Sequence, residues 1–333
     1  MRIKRIVKIK EKIGVVIPCY KVKKQILNVL RNIPDLVDYI YVVDDACPEM
    51  TGRYVEENIT DSRIQVILHE KNKGVGAAVM SGYSAAIKQG VEIVVKIDGD
   101  GQMDPHLIPK FIYPIILNEA DYTKGNRFYN SDVIHQMPLM RLIGNGILSL
   151  LTKLSSGYWD LFDPTNGYTA IHTKIASILP FKKISSRYFF ESDVLFHLNT
   201  IRAVVVDVPM SAKYEDEVSN LKISKILVEF LYKHLRNFVR RIVYNYYLRD
   251  FSIASIELPL GLLMTAFGII YGILSWSESL KLGIETSAGK VMFSALPILI
   301  GIQLILAFLN YDISRVPKKT LHKLLGEYKC TKQ

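Results

Sequence analysis

Five short apolar runs punctuate the first two-thirds of the chain: Ile13–Pro18, Tyr39–Asp45, Ile64–Glu70, Ile93–Asp100 and Ala203–Pro209. Their length and their valine and isoleucine content predict buried strands. Between the first four, apolar positions recur at helical spacing around residues 22–33, 50–59 and 75–89. Such strand–helix alternation predicts an α/β fold, a Rossmann-like and mainly parallel sheet with helices on both faces. Ligands of these sheets gather at the carboxyl ends of the strands. Tyr20, Asp44, Asp45, Asp98 and Asp100 all fall at or just after such ends.

The pattern changes after about residue 253. Leu258–Trp276 and Val291–Leu309 each run for about 19 residues without a charge, long enough to cross a bilayer. The polar linker 277–290 joins them as a hairpin, and Pro297 predicts a kink in the second span. Lys233, Arg236, Arg240, Arg241 and Arg249 precede the first span. Arg315, Lys318, Lys319 and Lys323 follow the second, and the linker holds only Lys281 and Lys290. This asymmetry predicts a multi-pass protein of the cell (inner) membrane with both termini and the large N-terminal part cytoplasmic. Before the spans, Leu227, Leu231, Leu235, Phe238, Ile242 and Tyr246 recur every three or four positions among basic residues. That pattern predicts an interfacial amphipathic helix on anionic lipid, or a solvated helix against the α/β part. The resulting division is a large α/β domain over 1–215, juxtamembrane helices over 216–252, and two spans within 253–311, at about 254–276 and 291–310. A basic tail over 312–333 completes it.

Composition adds little to this picture and removes several alternatives. Hydrophobic residues make up 49% of the 333, net charge is +10 and mean hydropathy is +0.17. The basic residues crowd beside the spans, and no basic patch is interleaved with aromatics, so nucleic acid is not an expected partner. Cys19, Cys47 and Cys330 show no C-x-x-C or zinc spacing. The basic start MRIKRIVKIKEKIGVVIP lacks the long apolar core of a signal peptide. The first strand runs into Pro18-Cys19-Tyr20-Lys21, without the glycines a dinucleotide site requires there.

The chemistry concentrates in IVVKIDGDGQMDP, where a strand ends in Asp98 and Asp100 flanking one residue, followed by Gln102 and Asp104. Two carboxylates aimed from one turn suit Mg²⁺ or Mn²⁺, hard cations that take phosphate oxygens as further ligands. VVIPCY, VVDDACPEMT, KNKGVGAAVMSGY and IDGDGQMDP, in that order, resemble the family 2 glycosyltransferases of the GT-A fold. GNRF at 125–128, Arg141 with Asn145, and DPTNGYTA at 163–170 are similar to the polyprenyl-phosphate glycosyltransferases, the dolichol-phosphate mannose synthase-like group.

The resemblance covers residues 13–310 and implies a set of roles. Asp98, Asp100 and Gln102 match the metal-side residues. Asp45, with Asp44, matches the acid that recognises the nucleoside, and Pro18 and Tyr20 border the base. Arg127 matches a phosphate-contacting arginine; Arg141 and Asn145 lie at the acceptor phosphate. Asp163 matches a base or orienting acid. Glu191 either favours a helix N-terminus or lines the sugar site. The implied reaction is inverting, metal-dependent transfer from a nucleotide-diphosphate sugar to a polyprenyl phosphate at the bilayer. The alternative is extension of a lipid-diphosphate-linked glycan or polysaccharide. A homo-oligomer, the sugar, and UDP against GDP stay open. Two positions depart from the pattern. Lys21 stands where asparagine is frequent. Glu217 stands where relatives carry an arginine, with Lys213, Lys222 or Lys225 as substitute cations.

Overall fold

A computed structural model of the chain describes residues 9–129, 139–210 and 223–327. Seven strands among them form one sheet: β1 (Ile13–Cys19), β2 (Tyr39–Asp44), β3 (Ile64–Leu68), β4 (Ile93–Lys96), β5 (Tyr122–Asn126), β6 (Thr169–His172) and β7 (Val205–Pro209). Their order is β3-β2-β1-β4-β6-β5-β7. β1 is buried along its whole length, which explains its unbroken apolar run. The crossover helices α1 (Lys23–Arg31), α2 (Thr51–Asn58) and α3 (Val75–Lys88) separate the first strands and make their pairing parallel. On α1, Ile26, Val29 and Leu30 face the core, the three-and-four spacing of an amphipathic helix.

β6 alone runs against its neighbours β4 and β5, while β5 and β7 pair in parallel. This reversal has a functional effect. β6 starts at the edge where β4 and β5 finish, so residues just before Thr169 join the loops that follow those two strands. β5 and β6 are the strands that the apolar pattern does not mark. YTKGN and TAIH are short and half polar, and they become strands because the sheet on either side supplies their partners.

Two compact units emerge: residues 1–238 with 317–333, and residues 239–316. In the first, the helix Ile223–Val243 turns polar residues inward. Asn237 donates to Asp193 at 2.7 Å, and the His234 ring meets the Ser155 hydroxyl at 2.8 Å. Val228, Leu231 and Leu235 are exposed instead. The helix Leu139–Ser156 likewise exposes Leu139, Ile143, Ile147 and Leu150, one helical stripe. Apolar residues outward and polar residues inward invert the ordinary surface helix. The closing residues, assigned on sequence to a basic tail, return to this unit. The helix Leu321–Glu327 is tied to Asp121, which accepts from the backbone N–H of Val204, Leu321 and His322 at 2.8 Å each. The His322 ring donates to the same carboxylate at 2.6 Å and stacks on His172.

The second unit is built on two long apolar helices, Ala254–Leu282 and Ala288–Ser314, each long enough to cross a membrane. They extend beyond the predicted spans and leave only 283–287 as the connection. The reason is local: Gly283 adopts a left-handed cap at φ 65°, and the Ser287 side chain caps the next helix. Gly261, Gly268 and Gly301 let the two backbones approach, and the Ser294 hydroxyl donates to the Gly268 carbonyl at 2.8 Å. Arg241 forms a fork on Asp312 at 2.6 and 3.0 Å, joined by the Tyr246 hydroxyl at 2.6 Å.

Candidate active site

The carboxyl ends of β1 and β2 lie in register, Cys19 opposite Asp44. Asp44 and Asp45 are both 3% exposed, and each organises a loop. Asp44 accepts from the N–H groups of Cys47 and Gly52 at 2.6 and 2.7 Å, which fixes the entry to α2. Asp45 accepts from Lys73 N at 2.9 Å, Gly74 N at 2.7 Å and the His69 ring at 2.7 Å. His69 is held from its other side by the Ser81 hydroxyl at 2.9 Å. Pro18 is buried at the end of β1, and Tyr20 beyond it is 46% exposed. Lys21 follows with φ 60°. An asparagine tolerates that left-handed backbone better than a lysine, a physical reason for its frequency at this position.

β4 delivers the acidic turn. Asp98, Asp100 and Gln102 are half-buried there, and Gly101 makes the bend at φ 83°. Asp98 N–H points at the Met103 sulfur, and Asp100 accepts from Gln102 N–H at 3.0 Å. The turn is tied to a second loop, since the Tyr168 hydroxyl donates to the Asp104 carbonyl at 3.0 Å and its ring stacks on Phe111 at 3.9 Å. Gly167 lies directly over Asp98: a Cβ there would sit 2.9 Å from Asp98 Oδ2 and collide with the Lys96 ammonium. The space that Gly167 leaves adjoins a carboxylate oxygen. No group of three or more His, Cys, Asp or Glu side chains suited to a metal occurs among the described residues. The carboxylates of Asp98 and Asp100 are oxygen donors of the kind a hard divalent cation takes together with phosphate and water.

β5 and the loop before β6 supply the cationic side. Arg127 follows β5 and grips Asp163 with Nε at 2.8 Å, Nη2 at 3.0 Å and its backbone N–H at 3.2 Å. Asp163 is fully buried, while the Arg127 side chain keeps 26% of its surface. Burial alone would raise the Asp163 pKa, but the Arg127 bonds and charge, with the nearby Lys124, hold it below the usual carboxylate range. Such an acid is a fixed anion that orients a guanidinium. Removing Arg127 would strand it, a cost of about 3–5 kcal/mol. Asn166 reaches Asp163 at 3.4 Å and binds Tyr168 N–H at 2.9 Å, so DPTNGY forms one braced turn.

Sequence reasoning missed the layer beneath. Lys96, Thr169, Lys124 and Asp207 are consecutive rungs across β4, β6, β5 and β7. Lys96 is 2% exposed and meets Asp98 Oδ1 at 2.8 Å and Glu191 Oε1 at 3.6 Å. Lys124 is fully buried and donates to the Asn166 carbonyl. Burial pushes the Lys124 pKa down to about 8 against the pull of Asp163, and pushes Asp207 up to about 6. A lysine inside IVVKIDGD was the available signal, because ammonium groups are almost never fully buried without partners. Glu191 opens the helix Phe190–Thr200, and the loop before it touches the start of α3, where Ala77 N–H donates to Ser186 O at 3.2 Å. Arg127, Asp163, Asn166, Gly167, Asp98, Lys96 and Glu191 thus form one connected cluster.

Arg141 and Asn145 lie on the helix Leu139–Ser156, with the side chain of Arg141 outside the described residues. Lys213, Glu217, Lys222 and Cys330, and the side chain of Lys225, also lie outside them.

The family model described as "Glycosyl transferase family 2" matches residues 14–179. A UDP-N-acetylglucosamine–dolichyl-phosphate N-acetylglucosaminyltransferase of Methanococcus voltae is 31% identical over 66% of this chain and 92% of its own length. An undecaprenyl-phosphate mannosyltransferase of Micrococcus luteus is 26% identical over 63% of this chain and 86% of its own. Among solved structures, glucosyl-3-phosphoglycerate synthase of Mycobacterium tuberculosis, crystallised with Mn²⁺, UDP and phosphoglyceric acid, has a TM-score of 0.53. It is 18% identical, covering 70% of this chain and 78% of that one, a likeness of fold. With its mixed Rossmann-like sheet and its strand-end acids, this chain belongs to glycosyl transferase family 2 and is a glycosyltransferase, grouped by sequence with the polyprenyl-phosphate enzymes.

Proposed function

We propose that this protein transfers a sugar from a nucleotide-diphosphate sugar to a polyprenyl monophosphate at the cytoplasmic face of a membrane, with inversion at the anomeric carbon. The observation that carries the proposal is the continuous cluster from Asp98 to Arg127, in which the Asn166-Gly167 turn joins the first acid after β4 to a guanidinium braced by Asp163. Asp98, Asp100 and Gln102 would hold Mg²⁺ or Mn²⁺. The cation, when bound, supplies positive charge to the donor diphosphate. Asp44 and Asp45 build the nucleoside side by ordering the loops around Pro18 and Tyr20. Glu191 borders the sugar.

Arg127, aligned by Asp163, binds a phosphate oxygen, for which a planar fork is well suited. Arg141 and Asn145 are assigned to the acceptor phosphate. A phosphate monoester has its second pKa near ~6, so the acceptor is largely a dianion at neutral pH. Its oxygen bonds to the anomeric carbon while the bond to the nucleoside diphosphate breaks. No proton needs removal, which matches an Asp163 locked onto Arg127. The outward apolar residues of the helices Leu139–Ser156 and Ile223–Val243, and the two apolar helices, support an acceptor met at the bilayer. The lysine and arginine asymmetry supports cytoplasmic termini.

The test is a radiolabel transfer assay in detergent with Mg²⁺ or Mn²⁺, polyprenyl phosphate and a nucleotide-sugar panel headed by UDP-N-acetylglucosamine. The expected product is a mild-acid-labile lipid-monophosphate sugar. Asp100→Ala is expected to lower turnover at least about a hundredfold, the scale of losing one preorganised electrostatic group. Unchanged turnover in that variant, or transfer only to lipid-diphosphate glycans, would overturn the proposal.

A further inference from the structure

Lys96 is a costly residue for its position. It sits in the central strand β4, 2% exposed, where a charge is strongly disfavoured unless it is paired. An apolar side chain of similar length would fill the same slot without that cost. The surroundings are instead adapted to the ammonium. Gly167 has no side chain, and any Cβ there would strike Nζ. Asp98 meets Nζ at 2.8 Å and Glu191 at 3.6 Å, so one buried cation is shared by two carboxylates from different elements. One of those carboxylates is also the first acid of the Asp98-Gly99-Asp100 turn.

Granting the donor site described above, we propose that Lys96 is a resident counter-cation that competes with the divalent metal for Asp98. Glu191 sets the strength of that competition by holding the ammonium partly away. Without a donor, Lys96 neutralises Asp98 and fixes its rotamer, and the turn attracts a free divalent cation weakly. When the nucleotide diphosphate brings its own negative charge, that charge adds to the two carboxylates and the metal is retained. Lys96 is thus a positioning residue that makes metal binding conditional on the donor. At separations of a few ångströms, a unit charge changes the energy of a divalent ion by more than tenfold in affinity, even with an effective dielectric constant of about 20.

The test titrates the full-length protein in detergent with Mn²⁺ and reads free Mn²⁺ by electron paramagnetic resonance, with and without UDP. The wild type is expected to bind Mn²⁺ at least tenfold more tightly with UDP. Lys96→Met is expected to bind Mn²⁺ alone at least tenfold more tightly than the wild type, with a smaller effect of UDP. Glu191→Gln is expected to move the opposite way, weakening Mn²⁺ binding alone, because Asp98 becomes the sole carboxylate paired with Lys96 among the described residues. A merely structural role would weaken binding in both variants. If Lys96→Met leaves Mn²⁺ affinity unchanged or lower while UDP-dependent binding persists, the counter-cation role is wrong and the donor site stands. If Lys96→Met fails to fold, unchanged or tighter Mn²⁺ binding by Glu191→Gln overturns the role by itself. A wild type that binds no Mn²⁺ even with UDP overturns the donor site as well.

Discussion

Lys21 carries a left-handed backbone at φ 60°, directly after the exposed Tyr20, and its N–H donates to the Cys47 sulfur at 3.0 Å. A lysine in that region costs about 1 kcal/mol, and asparagine less. Lys21→Asn should therefore raise the melting temperature by about 1–3 °C in a detergent thermal-shift measurement, with transfer activity retained. A fall would show that the lysine side chain makes up for its backbone. The same scale shows what sequence can display. Asp98 and Asp100 were legible because an acidic pair at a strand end is a local pattern. The grip of Arg127 on Asp163 was not, since 36 residues separate the partners and only the reversed β6 brings them together. Lys96 was visible as a charge within an apolar strand, but its meaning needed Gly167 and Glu191, which lie far away in sequence.

Among the elements, β1, β2 and β4 announce themselves because each is a buried apolar run between helices of ordinary spacing, whereas β3, equally apolar, is a partly exposed strand at the sheet edge and not the buried one its sequence predicts. β5 and β6 do not, since their polar residues are the buried site-supporting ones: Lys124, Asn126 and Thr169. The hairpin was legible as two apolar stretches. Its helices are longer than those stretches because caps and not hydropathy end them. What holds the pair is close backbone approach, with a Cβ at Gly268 falling 2.6 Å from the Ser294 carbonyl oxygen. Gly268→Leu should force the helices apart and remove the Ser294 bond. The expected result is loss of the monodisperse peak on detergent size-exclusion chromatography. The equivalent change at Gly289, where a Cβ meets nothing within 4 Å, should be silent.

At the scale of the molecule, the catalytic unit is closed by its last described helix. His172 stacks on His322 at 4.4 Å, and its pKa is pushed down to about 3, by burial first and then by His322 and Lys174. An unfolded histidine titrates near 6.5. Between about pH 6.5 and 3 the unfolded chain binds the extra proton, so stability falls as pH drops through that window, by up to about 1.4 kcal/mol per pH unit. Asp121, whose pKa is lowered by its bonds to His322 despite burial, adds a further loss only at lower pH. Melting temperature measured from pH 7.5 to 5 should fall in the wild type and fall less in His172→Phe. Equal slopes would remove His172 as the acid-sensitive group.

Asp121 has a consequence for biogenesis. Its backbone partners in the sheet, His172 and Val204, precede both apolar helices, yet two of its N–H donors, Leu321 and His322, come 200 and 201 residues later. A ribosome making this chain must finish both apolar helices before the catalytic unit can satisfy that buried carboxylate. Until then Asp121 waits partly unpaired, at a cost on the order of 1–3 kcal/mol. Completion of the catalytic unit is thus timed to follow synthesis of both apolar helices.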